Sequence, residues 1–125
     1  MNAEAHESAA SCRASDLAAG KSAILLWYLP TLALVVGLGS SALRPWLWIS
    51  AFFVMGVGCL VNASRCGRFH CYFTGPLFLI SAVYVALAAA GLVPLRPGLL
   101  LFSVFLLSSL ACMAELPFGK YRKAV

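Results

Sequence analysis

Cys66 and Cys71 are spaced C-x4-C with His70 beside the second, in the most polar stretch of an otherwise apolar chain, Asn62-Ala63-Ser64-Arg65-Cys66-Gly67-Arg68-Phe69-His70-Cys71-Tyr72-Phe73-Thr74-Gly75-Pro76. Two sulfurs and an imidazole so placed suit a soft cation, since such ligands select Cu(I), Zn(II), iron–sulfur clusters and, by the same softness, Hg(II) or Cd(II). Gly67 lets the backbone bend so that both sulfurs can face one point. Arg65 and Arg68, together with the N-terminus of a following helix, bring positive charge to the sulfurs. Two sulfurs suffice for a two-coordinate ion. A structural zinc site or a cluster wants four ligands and would have to recruit Cys59 and Cys112.

The elements that must hold these residues are read from composition. Of the 125 residues 62% are apolar and 10% charged, with a mean hydropathy of +0.94. An ordinary soluble domain is roughly 45–50% apolar and 25% charged, so a soluble fold is excluded, and so is a disordered chain. The basic residues border uncharged runs instead of lining one face, which argues against nucleic acid as a partner and for a lipid bilayer. The runs predict four transmembrane helices at about 22–43, 46–63, 74–92 and 99–116, each long enough for a hydrocarbon core of roughly 30 Å. Trp46 and Trp48 at the start of the second suit the headgroup level. Thr74, Gly75 and Pro76 read as the start of the third, a Thr cap followed by Pro in the first turn.

The expected fold is therefore an all-α integral membrane protein, a four-helix bundle over residues 22–117 with both termini cytoplasmic. Residues 1–21 read as a flexible polar tail and 118–125 as a basic one. In this orientation Arg13, Lys21, Arg65, Arg68, Lys120, Arg122 and Lys123 lie inside and only Arg44 and Arg96 outside, seven basic residues against two. The expected location is the inner (plasma) membrane, multi-pass. Small residues within the spans permit close helix approach, and the expected assembly is a homodimer or a place in a larger membrane complex.

On this topology Cys59, Cys66, Cys71, Cys112 and His70 all fall in the cytoplasmic third of the bundle, although they spread over more than fifty residues of sequence. Glu115, three residues after Cys112, shares its helix face and can pair Arg65 or Arg68 or ligate a metal. The plainer readings stand beside these. Buried cysteines pack as small apolar groups, so Cys59 and Cys112 taken alone read as packing residues. The arginines can anchor to anionic headgroups, and Cys12 is a lone thiol in the tail.

The fifteen-residue string from Asn62 to Pro76 resembles the signature of small, poorly characterised prokaryotic integral membrane proteins. In size, four-span architecture and the joining of membrane-embedded with cytoplasmic-side cysteines, the chain also looks like the mercuric-ion uptake proteins of mercury-resistance systems. That likeness implies carriage of Hg(II) or a similar ion. Those carriers place a cysteine pair in the first span, and the first span here has none.

Three functions compete on the sequence. The first is handling of a soft ion (Hg, Cu or Zn), by transport or sequestration, through Cys66, Cys71, His70, Cys59 and Cys112. The second is a membrane thiol–disulfide oxidoreductase passing electrons to a quinone, which would want its cysteines on the oxidising outer side. The third is a non-catalytic accessory subunit of a membrane complex. No hydrolytic constellation, phosphate-cradling loop or carbonyl filter is present in the sequence.

Overall fold

The computed structural model describes residues 3–119, which form five helices. These are α1 (Ala3–Ser15), α2 (Lys21–Gly39), α3 (Arg44–Cys66), α4 (Cys71–Ala89) and α5 (Pro97–Phe118). The last four are long and apolar enough to cross a membrane. Lys120, Arg122 and Lys123 of the expected basic tail lie outside the described residues.

α3 is the axis of the bundle. Its buried residues, Trp48, Ala51, Phe52, Met55, Cys59, Asn62, Ala63 and Cys66, recur at steps of three and four and so make one stripe. The matching stripe on α4 is Cys71, Thr74, Gly75, Phe78, Ser81, Ala82 and Val85. Two glycines let the backbones approach. A methyl group on Gly56 would meet Leu79 Cγ at 2.7 Å and the Gly75 carbonyl oxygen at 3.1 Å, and one on Gly75 would meet Leu60 Cδ2 at 2.8 Å. Large apolar side chains such as Phe53, Ile80, Val83 and Phe105 point outward, the arrangement expected where lipid replaces water as solvent. On α5 only Val104 is buried among the described residues.

The first span differs from a plain helix. Ile24–Tyr28 is a π-helical turn, with the Leu29 N–H reaching the Ile24 carbonyl. Pro30, next along, has no N–H to give and crowds the carbonyl four residues back, and a widened turn relieves that crowding. At the other end Arg44 begins α3 and closes α2, its Nε donating to the Gly37 carbonyl at 2.9 Å and its Nη2 to the Leu38 carbonyl at 3.2 Å. Trp48 is fully buried beside Gly37 with Nε1 donating to the Leu34 carbonyl at 2.9 Å, so its ring is taken up by protein packing, while Trp46 is 74% exposed.

The polar segment 1–21 carries α1 and then sends Asp16 into the bundle end, where it is only 5% exposed. One expected boundary is corrected. The third span starts at Cys71 and not at Thr74, because Gly67 ends α3 in a left-handed conformation (φ 65°, ψ 31°) and the chain reverses within Gly67 to His70. Pro76 thus lies inside α4. Thr74 bonds back to the His70 carbonyl at 3.0 Å instead of capping, and Gly75 serves the helix crossing instead of the loop.

The close crossing sets a measurable difference between glycines. Gly56→Val should destabilise the bundle by about 1–3 kcal/mol through overpacking. Gly39→Ala, where nothing lies within 4 Å, should leave thermal unfolding in detergent within about 0.5 kcal/mol of the parent.

Candidate functional site

Seven residues per two turns separate Cys59 from Cys66 on one face of α3, a rise of about 10.5 Å. That rise divides the cysteines. Cys59, the upper one, meets α4: its sulfur lies 3.2 Å from Thr74 Oγ1, one turn on from Cys71 on the buried stripe of α4, and its thiol interacts with that of Cys71. Both Cys59 and Cys71 are fully buried. Cys66 instead meets α1, its sulfur donating to the Cys12 carbonyl at 3.5 Å and lying 3.5 Å from Ser15 Oγ. Cys66 and Cys71 thus meet different elements, and the thiol that interacts with Cys71 is Cys59.

Around Cys71 the polar groups close a ring. Cys71 Sγ lies 3.5 Å from His70 Nε2 and accepts from Asn62 Nδ2 at 3.8 Å. His70 Nδ1 lies 2.6 Å from Glu115 Oε1, and that oxygen also accepts from the His70 backbone N–H at 3.3 Å. Arg68 Nε lies 3.6 Å from the same oxygen, while its Nη1 pairs with Asp16 Oδ2. Asp16 Oδ1 accepts from Asn62 Nδ2 at 2.8 Å and from the Ala18 N–H at 2.9 Å, and Asn62 Oδ1 accepts from the Leu17 N–H at 3.2 Å. The contacts run from Cys71 through His70, Glu115, Arg68, Asp16 and Asn62 back to Cys71.

With His70 neutral, this ring holds two carboxylates against one guanidinium. It has room for one positive charge. Burial pulls the His70 pKa down, but the hydrogen bond and charge of Cys71 and then those of Glu115 outweigh it and hold the imidazole above its ordinary value. The same imbalance favours any cation delivered to the sulfurs.

The remaining expected residues fall as follows. Glu115 pairs Arg68, not Arg65, which is exposed and makes no ion pair among the described residues. Cys112 is exposed on α5 and lines a cavity of about 360 Å³ together with Arg68, His70 and Thr74. Gly67 supplies the turn. Among the described residues no three His, Cys, Asp or Glu side chains stand grouped to enclose a metal ion. Asp16 and Asn62 were not singled out from sequence. Asn62 had a signal, an amide on the buried stripe between Cys59 and Cys66; Asp16 had only its place just before the first span.

The His70 environment gives a titration test on metal-free protein. Because the folded pKa is raised, His70 adds stability that is fully present below its unfolded value of about 6.5 and is lost as pH rises through the folded value. Glu115→Gln should lower the His70 pKa, read by NMR of the labelled imidazole, and flatten that part of the stability profile. An unchanged His70 titration would mean that Glu115 does not act on it.

Compared with known proteins, the chain matches no family model, no curated protein and no solved structure.

Proposed function

We propose that this protein handles a soft, thiophilic cation at the loop end of its bundle, holding it between Cys59 and Cys71 with His70 beside them. The observation that carries the reading is the meeting of two buried thiols from adjacent spans, one of them 3.5 Å from an imidazole nitrogen. Two sulfurs meet the needs of Hg(II) or Cu(I), whereas Zn(II) wants four ligands, and no such group is found among the described residues. Binding releases thiol protons, and the cation then supplies the positive charge that the Asp16–Arg68–Glu115–His70 ring accommodates.

The task of the protein on this reading is transport or sequestration of the ion in the inner (plasma) membrane, with both termini cytoplasmic. The seven-to-two charge bias supports that orientation and puts the thiols on the reducing side, where they stay available to metal. Cys66, bound to α1, is outside the binding pair.

Titration of the reduced protein in detergent with Hg(II) and with Cu(I), alongside free-thiol counting, tests this. The parent should take up near-stoichiometric ion. Cys59→Ser and Cys71→Ser should each abolish tight binding, and Cys66→Ser should keep it. Asn62→Ala or Glu115→Gln, which remove partners and leave the sulfurs in place, should weaken binding about 10- to 100-fold. Equal binding by the Cys59→Ser, Cys71→Ser double variant would overturn the proposal. Disulfide cycling of this pair without ion uptake would assign the thiol–disulfide oxidoreductase reading instead, and cysteine variants indistinguishable from the parent would favour an accessory subunit.

A further inference from the structure

Two cavities run together between α2 and α5. The one at the loop end, about 360 Å³, and its neighbour toward the other end, about 470 Å³, share Met55, Phe78 and Ser108 in their walls. The first is mixed in character, with Arg68, His70 and Thr74 beside the rings of Trp27, Tyr28 and Phe78. The second is apolar except for Thr31 and Ser108. Each lies within the size range of small-molecule sites, and together they have the form of a polar head chamber and an apolar tail channel.

The head chamber contains two buried donors with no hydrogen-bond partner among the described residues, Trp27 Nε1 and Ser108 Oγ. Both depart from how this chain treats the same groups elsewhere. Thr31, Ser50, Ser81 and Ser103 each bond the carbonyl four residues back, at 2.6–2.8 Å, and Trp48 Nε1 reaches the Leu34 carbonyl. A donor left unmade in a low-dielectric interior costs about 1–3 kcal/mol, so two in one chamber call for an acceptor. The charged neighbour is already matched, since Arg68 engages Asp16 and Glu115. The acceptor groups of the occupant are therefore neutral.

A neutral molecule with two acceptors for donors on separate helices, a flat ring to lie among Trp27, Tyr28 and Phe78, and an apolar tail is a quinone. We propose that the seam between α2 and α5 binds a lipid-soluble quinone, with its ring carbonyls accepting from Trp27 Nε1 and Ser108 Oγ and its isoprenoid tail along Val35, Phe102 and Phe105. The proposal concerns binding only and does not rest on the thiol reading, whose sulfurs lie on α3 and α4.

The test uses the full chain in detergent and a fully substituted benzoquinone with a short isoprenoid tail, which cannot add to thiols, followed by isothermal titration. The parent should bind it saturably. Trp27→Phe and Ser108→Ala should each weaken binding about 5- to 30-fold, the loss expected for one hydrogen bond to a buried acceptor, with unchanged thermal unfolding as proof of folding. Val35→Ala, a tail-channel change that removes no donor, should weaken long-tailed quinone more than the tail-free ring. The proposal is overturned if the parent does not bind, if both donor variants bind as the parent does, or if a neutral monoacylglycerol displaces the quinone at equal concentration, which would make the seam a general lipid groove.

Discussion

Arg68 is the charge that the loop end of this bundle has to neutralise. Its side chain is mostly buried between the ends of apolar helices, where an unpaired guanidinium would cost about 3–5 kcal/mol. Asp16 and Glu115 reach it from opposite directions, one from the segment before the first span and the other from the last. The two carboxylates thereby fasten the N-terminal segment and α5 to a core made mainly of α3 and α4. Without that need neither would have a strong reason to sit there, because α5 buries little and α1 has no apolar face.

The thiol pair depends on the same arrangement. Asn62 donates to both Asp16 and Cys71, and Glu115 meets both Arg68 and His70, so the groups that satisfy the arginine also orient the sulfur's neighbours. Gly56 and Gly75 bring α3 and α4 close enough for Cys59 and Cys71 to meet. Specific chemistry and close packing here are one set of contacts, and a change in either is felt by the other.

The spans themselves were legible in the sequence because hydropathy and charge borders act over about twenty residues and survive errors at the ends. Their ends were not. The start of α4 was misplaced by one turn because Thr74 and Pro76 carry cap signals that a shorter loop, set by Gly67, overrode. The placement of Cys59 at the loop end of its span was legible from topology, while its approach to Cys71 and the separation of Cys66 from Cys71 were not, since spacing says nothing of which neighbour each helix face meets. Asp16 was invisible for a related reason. Its role is defined by Arg68, more than fifty residues away, and no local pattern links them.

α5 rises about 33 Å over its 22 residues, and α2 about 28 Å over its 19, on either side of a hydrocarbon core near 30 Å. Helices of unequal length in one membrane tilt by different amounts, and the one with the fewest protein contacts adjusts first. That helix is α5, fixed at one end by Glu115 and at the other by the turn that Tyr84 holds through the Pro94 carbonyl. In a bilayer, the thickness of the surrounding membrane would thus become a coordinate of the protein itself: it would set the inclination of α5 and, with it, the width of the gap that α5 shares with α2.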